Sequence, residues 1–386
     1  MNRKCFIIAT SWDTRPVSLH FRALANELAS RGHQVILLIS GNTSEVQLSD
    51  DNPSVKIWPS RRPTKFRDAY FLYKTIKKYQ PDCLIANFGA CNVMMLVGWL
   101  MGVTSRISWY HTLSSQVDSD ARIAPYKMAL LRLRKKLVYK VVTQIVANSK
   151  AAYEDVQKVF KVPESKCHIF FNSISDPLET FSLSSVEKSG RIVCVGRLNY
   201  SKGQDVLIRA ASLVKNRFPD LQIEFVGIGS EKDACVSLAN ELGLSDNCIF
   251  SGASSHEDVL KKMAGAIVTV VPSRHEAFGL VNIESLAVGT PVIASNVDGI
   301  VEIIRDGIDG YLVLPDNPNL LAEKLIAVIS NSELRNNLGA NGRQQFLACF
   351  EQKGIVNKQI EWLEKILNQK NRLPAYVSRT NKGAAS

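Results

Sequence analysis

The chain has 386 residues, 46% hydrophobic and 22% charged, and a formal net charge of +11. That length exceeds one ordinary domain and suits two of about 150–200 residues, each able to bury a full core without staples. Its eight cysteines (Cys5, Cys83, Cys91, Cys167, Cys194, Cys235, Cys248 and Cys349) form no CxxC pair and have no histidine at zinc spacing, which argues against a zinc module. Most lie in apolar runs and read as reduced core thiols of a cytosolic protein.

Taken in chain order, Met1–Thr10 has an apolar stretch too short for a signal peptide and reads as a first buried strand. Further strands are predicted near 34–39, 82–86, 104–109, 143–147 and 168–171, with helices near 19–31, 66–79, 91–101, 123–140 and 150–160. Residues 83–105 carry no charge, a length that would permit a membrane span, but Asn87, Asn92 and several glycines favour strand, turn and buried helix. The segment 172–190 is polar and serine-rich, the expected boundary between domains 1–180 and 181–352. Beyond it, strands are predicted near 191–195, 221–226, 248–251, 267–271, 291–294 and 311–313. The helices between and after them fall near 204–217, 231–242, 256–263, 280–288, 319–329 and 332–347. A last helix near 354–368 presents Trp362, Leu363, Ile366 and Leu367 on one face, and the tail from 371 reads as disordered. Two strand–helix series predict an α/β chain of two doubly wound, Rossmann-like domains.

The charge is unevenly placed. Residues 1–190 sum to +11 and residues 191–386 to zero, which points to an anionic partner for the first half. Its densest segment, 126–140, places Met128, Leu131 and Val138 on an apolar helical face with Leu130 and Leu137 at its edges. Arg132, Arg134, Lys135, Lys136 and Lys140 supply cations, so this helix is the candidate membrane or acceptor surface.

Open parallel sheets bind ligands beyond the carboxyl ends of their strands. In the second half, one such strand ends in Gly196-Arg197-Leu198-Asn199-Tyr200-Ser201-Lys202-Gly203, just before a helix. Two cations at a helix N-terminus could hold a diphosphate, or be ordinary exposed loop residues. Another strand ends in Pro272-Ser273-Arg274-His275-Glu276-Ala277-Phe278-Gly279-Leu280, with Glu284 in the following helix. Two acids so spaced could grip hydroxyls at both ends of one ligand, or simply complement the helix dipole. The residues alone leave that choice open.

SRHEAFGLVNIES (273–285) resembles the Glu-x7-Glu signature of glycosyltransferase family 4, retaining enzymes of the GT-B fold, also described as glycosyl transferases group 1. GRLNYSKGQD (196–205), FVGIGS (225–230), FSG (250–252) and GTPVIASNVDGIVEIIRDGIDGYLV (289–313) resemble the same family, as do LANELASRGHQV (24–35) and ANSKA (147–151). The resemblance implies two domains facing across a cleft, with the last helix returning to the first domain. It implies transfer of a hexosyl-type group from a nucleotide-diphosphate sugar to a glycan or lipid-linked acceptor, in cell-surface polysaccharide or glycolipid synthesis. Arg197 and Lys202 would contact the diphosphate, Glu276 the transferred sugar and Glu284 the ribose. Gly196, Gly227 and the backbone of Ala277, Phe278, Gly279 and Leu280 would complete the donor site, and His111 would be the cleft histidine near the sugar.

Two positions depart from the family pattern, both with consequences for the acceptor: Arg15-Pro16 stands where paired glycines are usual, and Asn172-Ser173 where Asn-Gly is. The expected mechanism is front-face attack with charge stabilisation by Arg197 and Lys202, and needs no dedicated base. Asp118-Ser119-Asp120 is a DxD in a polar stretch that reads as a loop, so no metal or other cofactor is expected. The expected location is cytoplasmic, peripheral at the inner face of an anionic membrane, without nucleic-acid partners. Alternatives are a same-fold synthase or phosphorylase with a soluble sugar acceptor, and a basic nucleic-acid- or membrane-binding module without catalysis.

Overall fold

The structure, a computed structural model, describes residues 3–40, 46, 48–120, 123–183, 186–187 and 190–370. The tail expected to be disordered, from 371 on, lies outside the described residues.

The first sheet contains β1 (Cys5–Ser11), β2 (Gln34–Ser40), β3 (Ser54–Ile57), β4 (Cys83–Ala86), β5 (Ser105–Tyr110), β6 (Gln144–Ala147) and β7 (Cys167–Ile169). All pair in parallel, in the order β3-β2-β1-β4-β5-β6-β7. The helices of this half are α1 (Pro16–Ser30), α2 (Phe66–Tyr79), α3 (Cys91–Leu100), α4 (Ser114–Asp120), α5 (Pro125–Val141), α6 (Lys150–Phe160) and the single turn α7 (Pro177–Thr180). Alternate residues of β1 serve opposite cores. Ile7 and Ala9 pack with α2, α3 and α5, and Phe6 and Ile8 with Phe21, Leu24 and Leu28 of α1. Burial on both faces is why these strands read as near-continuous apolar runs.

The second sheet has β8 (Ile192–Val195), β9 (Ile223–Val226), β10 (Cys248–Gly252), β11 (Val268–Val271), β12 (Val292–Ser295) and β13 (Gly310–Val313). It is again parallel, in the order β10-β9-β8-β11-β12-β13. Around it lie α8 (Gln204–Val214), α9 (Lys232–Glu241), α10 (His256–Gly265), α11 (Leu280–Ala287), α12 (Pro318–Ser330) and α13 (Ser332–Cys349). The last helix, α14 (Gln352–Lys370), buries Val356, Ile360, Leu363 and Leu367 against the first sheet and α1. Spacings of four, three and four residues put those side chains on one helical face.

Three expectations need correction. β3 was not anticipated, because Ser54-Val55-Lys56-Ile57 is a short strand on the sheet edge. Residues 114–120 form α4 instead of a loop. In α5 the buried residues are Val138 and Tyr139, whereas Tyr126, Leu130, Leu133 and Leu137 face outward. Residues 83–105 divide into β4, a 3-10 turn, α3 and the start of β5, and no helix among the described residues is long and apolar enough to cross a membrane.

Candidate active site

In each sheet the strand order reverses once, between β1 and β4 and between β8 and β11. Loops diverge there and leave a crevice beyond the strand ends. The loops after β8 and β11 carry Arg197, Lys202 and Glu276, so topology alone brings these three to one crevice. Arg274 staples the two loops: its guanidinium meets both carboxylate oxygens of Asp205 at 3.0 and 2.8 Å, Asp316 at 2.7 Å and the Tyr200 carbonyl at 2.8 Å. Its backbone N–H donates to Ser201 O at 2.8 Å. Arg274 stands within the 273–285 motif, and nothing in the sequence pairs it with Asp205 and Asp316.

Lys202 donates to the Glu276 carboxylate, a pair with side chains only 16% and 14% exposed. Arg197 is exposed, and its side chain has no partner among the described residues. The backbone N–H groups of Ala277, Phe278 and Gly279 make no hydrogen bond among the described residues, and they lead directly into the N-terminus of α11. Consecutive amides without partners at a helix entry, on a loop next to the one that carries Arg197 and Lys202, have the chemistry to hold an anion. Gly279 sits at φ 94, where a Cβ would run into Asn282 and be strained in any case. Gly227, at the end of β9, passes so close to Gly196 that a Cβ there would overlap the Gly196 carbonyl.

Ala277 and Phe278 are positioned by other groups. Ser149 Oγ, from the first domain, donates to Ala277 O at 2.5 Å, and Phe278 stacks on Phe171 with ring centroids 5.4 Å apart. Their side chains are therefore core, and only their amides face the crevice. Glu302 also crosses the cleft, accepting from Lys150 N at 2.7 Å and Ala151 N at 3.0 Å at the start of α6. Glu284 is buried, with His256 Nε2 at 2.8 Å from its Oε1 and Phe181 edge-on to that imidazole. The partnership with His256 was not legible in the sequence.

In the first domain, His111 follows β5 at its carboxyl end. Its ring stacks on Phe88 at 4.7 Å, and neither ring nitrogen has a hydrogen-bond partner among the described residues. Burial, with smaller contributions from His20 and Lys135, pulls its pKa down to about 3, so the ring is neutral near pH 7. His111 and Phe88 line a cavity of about 410 Å³ that also includes Lys135, Arg134 and Arg62. A second cavity, of about 430 Å³, lies behind the β8 loop beside α8 and α9 and contains none of the candidate residues.

The four basic residues assigned to the α5 surface divide. Arg134 and Lys136 are exposed, Arg132 is paired with Asp118, and Lys135 turns inward over the rings of Tyr110, Phe160 and Tyr139. Lys135 is therefore no part of an outer cationic face. The DxD carboxylates are engaged: besides the Asp118 pair, Asp120 accepts from Ser201 N at 3.2 Å and Ser201 Oγ at 2.9 Å, across the cleft. No cluster of three metal-ligating side chains occurs among the described residues.

Both departures from the family pattern have structural partners. Asp13 accepts from Arg15 N at 3.0 Å, and Pro16 opens α1. Ser173 Oγ donates to Nδ1 of buried His20 at 2.8 Å, whose Nε2 donates to Gln359 Oε1 at 2.9 Å. That chain ties the interdomain segment to both α1 and α14.

Residues 176–345 match the family model of glycosyl transferases group 1, and residues 17–176 that of glycosyltransferase family 4. An uncharacterized glycosyltransferase of Methanocaldococcus jannaschii, MJ1607, is 25% identical over 383 residues, covering 92% of this chain and 96% of that protein. Sucrose-phosphate synthase from Thermosynechococcus elongatus superposes with a TM-score of 0.78 at 20% identity, over 95% of this chain and 100% of that one. Anabaena HepE, solved in complex with UDP, superposes with a TM-score of 0.75 at 18% identity, over 94% of this chain and 100% of that one. At such identities the structural likeness establishes the fold.

Proposed function

The chain belongs to the glycosyltransferases of group 1 and family 4 and is a transferase of the GT-B fold, and from that premise we propose that it is a retaining enzyme moving a sugar from a nucleotide-diphosphate donor to a glycan or lipid-linked acceptor at an anionic membrane surface. The observation that carries the donor half is the convergence of Arg197, Lys202 and the unpaired amides of 277–279 at the switch point of the second sheet. Such an array fits a diphosphate; HepE, of the same fold, was solved with UDP.

In this reading the diphosphate displaces Glu276 from Lys202, freeing that carboxylate to accept from a hydroxyl of the transferred sugar. Glu284 holds the ribose hydroxyls with its second oxygen while His256 fixes its first. Charge growing on the leaving phosphate is met by Arg197, Lys202 and the amides, which are already oriented and need little reorganisation. The acceptor hydroxyl attacks from the face the diphosphate leaves, and a phosphate oxygen takes its proton. His111, neutral and with no partner for either nitrogen among the described residues, is suited to hydrogen-bond the sugar or acceptor once Phe88 yields.

The membrane half is supported by the outer surface of α2, α3 and α5, which pack side by side over one face of the first sheet. Phe66, Tyr70 and Tyr73 of α2, Leu96, Trp99 and Leu100 of α3, and Tyr126, Leu130, Leu133 and Leu137 of α5 are exposed there. Leu100 is 74% exposed and Leu130 65%. Lys74, Lys77, Lys127, Arg134 and Lys136 on these helices are also exposed. Apolar and aromatic side chains set among cations suit an anionic lipid surface, each basic residue contributing about 1 kcal/mol. A soluble acceptor would give this exposed apolar surface no role.

Thermal-shift measurements with UDP, GDP and ADP test the donor half. A nucleotide at about 100 times its Kd stabilises by about 2.7 kcal/mol, and absence of any shift at millimolar concentration contradicts the reading.

A further inference from the structure

The cavity beside His111 has a charge imbalance that the donor site does not use. Arg62, Arg134 and Lys135 line it, and among the described residues no carboxylate does. None of the three makes a side-chain hydrogen bond or ion pair among the described residues. Asp155, the carboxylate whose charge reaches Lys135, is already engaged: its Oδ2 accepts from the Tyr110 hydroxyl, Ser114 N at 3.1 Å and Ser114 Oγ at 2.9 Å. Lys135 Nζ lies 4.2 Å from the Tyr110 ring centroid, 4.9 Å from that of Phe160 and 5.7 Å from that of Tyr139. The rings recover only part of the hydration an ammonium loses. The loss shows in its proton affinity: burial pulls Lys135 down to about 8 although Cys91 and Asp155 act the other way. A charge kept at this cost has a use, and an anion entering the cavity would restore its pairing. Two guanidinium forks and an ammonium around one space match a group with several anionic oxygens better than a single carboxylate.

We infer that this cavity holds a phosphate of the acceptor, between Lys135 and the two arginines, and so sets the enzyme's preference for a phosphorylated acceptor over its neutral counterpart. The inference rests on the family reading in one respect, the placing of the acceptor in the first domain. The phosphate can belong to a soluble sugar phosphate or to a lipid headgroup, and the Phe88, Leu131 and Tyr139 walls accommodate either a ring or an alkyl chain.

The test uses the full chain, saturated with whichever nucleoside diphosphate binds, so that the donor site is filled. Calorimetric titration with glucose 6-phosphate and glucose, and with hexyl phosphate and hexanol, compares each phosphate with its neutral partner. Each productive phosphate should bind at least about tenfold more tightly than its partner. Lys135→Met should erase about tenfold of that preference while leaving nucleotide Kd within about twofold. Because Lys135 is partly buried, the exposed double variant Arg62→Ser/Arg134→Ser is measured alongside and should lose a similar factor. Preference for hexyl phosphate identifies a lipid-linked source, and preference for glucose 6-phosphate a soluble one. Equal binding of phosphorylated and neutral compounds, no binding of either, or undiminished preference in both variants overturns the inference. Phosphate preference that depends on Lys135 in a protein that binds no nucleotide would sink the donor assignment and leave the cavity assignment standing.

Discussion

Glu276→Gln separates two roles that the structure gives one carboxylate. Glu276 neutralises Lys202 in the resting site and, on the proposed mechanism, hydrogen-bonds the transferred sugar. At an effective dielectric of about 20 and a separation of about 4 Å, the gross attraction of such a pair is about 4 kcal/mol, most of it offset by desolvation. Glutamine keeps a hydrogen-bonding oxygen but removes the charge, so Lys202 is left unpaired in a mostly buried position. Removing one partner of a fully buried pair costs about 3–5 kcal/mol, and with both side chains 14–16% exposed we expect about 1–2 kcal/mol. A nucleoside diphosphate no longer competes with Glu276 for Lys202. Its affinity should therefore rise, by about tenfold if about 1.4 kcal/mol of the penalty is returned on binding. Transfer should move in the opposite direction, slowing by about ten- to a hundredfold for the loss of one charge-assisted hydrogen bond of about 1.5–3 kcal/mol.

Calorimetry with the preferred nucleotide, thermal shift with and without it, and steady-state kcat/KM measure the three quantities on one preparation. The expected pattern is a less stable free enzyme, a larger stabilisation by nucleotide, tighter nucleotide binding and slower transfer. A fall in nucleotide affinity parallel to the fall in rate would refute the reasoning, since the carboxylate would then contact the nucleotide side of the donor instead of competing for Lys202.

Glu284→Ala should weaken free nucleotide by roughly ten- to a hundredfold, for a lost charge-assisted hydrogen bond of about 1.5–3 kcal/mol; unchanged calorimetric affinity removes Glu284 from the ribose site. EDTA should leave transfer intact, because Asp118 and Asp120 are engaged by Arg132 and Ser201; loss of activity that Mg²⁺ or Mn²⁺ restores would reverse that expectation. Leu130→Ser/Arg134→Ser/Lys136→Ser/Leu137→Ser, all at exposed positions of α5, should abolish co-sedimentation with anionic liposomes and leave nucleotide binding unchanged; equal sedimentation of wild type and variant counts against the membrane surface. Acid should destabilise the fold through His20, whose folded pKa is pulled from 6.5 to about 4 by burial. The unfolded chain then binds the proton first, so stability is full above about 6.5 and falls by up to about 3 kcal/mol as pH drops toward 4. His20→Gln should flatten that part of the Tm–pH profile, and an unaltered slope would assign the acid sensitivity to other groups.

The second half is legible because most of its strands are apolar runs ended by glycine, proline or polar turn residues, and all six observed strands lie within a few residues of the expected ones. The first half resisted at two places for local reasons. β3 is a four-residue edge strand with a lysine in it, too short for periodicity to register. α4 is polar almost throughout, and its residues are held by partners remote in sequence, Asp118 by Arg132 and Asp120 by Ser201. The candidate loops could be placed at strand ends from pattern alone, and family resemblance supplied their roles. What no sequence pattern could supply was pairing at a distance: Lys202 with Glu276, His256 with Glu284, and Arg274 with Asp205 and Asp316. The direction of Lys135 belongs to the same class, since a helical wheel ranks it with its neighbours Arg134 and Lys136 although one residue's rotation, 100°, carries it from the solvent face to the aromatic wall.

Net charge also misleads when read by halves. Residues 191–386 sum to zero, yet the loops at the switch point of the second sheet carry Arg197, Lys202 and three amides with no hydrogen bond among the described residues, because topology and not composition decides what faces the crevice. The first domain's +11 divides by geometry into cations of different consequence. Arg132 is matched by a carboxylate and offers little field beyond its own pair. Lys74, Lys77, Lys127, Arg134 and Lys136 are open to solvent, where salt screens them beyond roughly 8–10 Å, so they act on a surface that touches them. Lys135 is shielded by three rings and screened far less, so it acts on an anion that enters the cavity beside His111. Arg134 lines that cavity while also being exposed on α5, which sets the cavity mouth and the proposed lipid-facing surface side by side. An acceptor anchored in the bilayer could therefore pass from one to the other without crossing bulk water, its phosphate moving from screened cations to an unscreened one. On this arrangement raising salt should loosen the protein from liposomes well before it weakens the binding of a phosphate in the cavity.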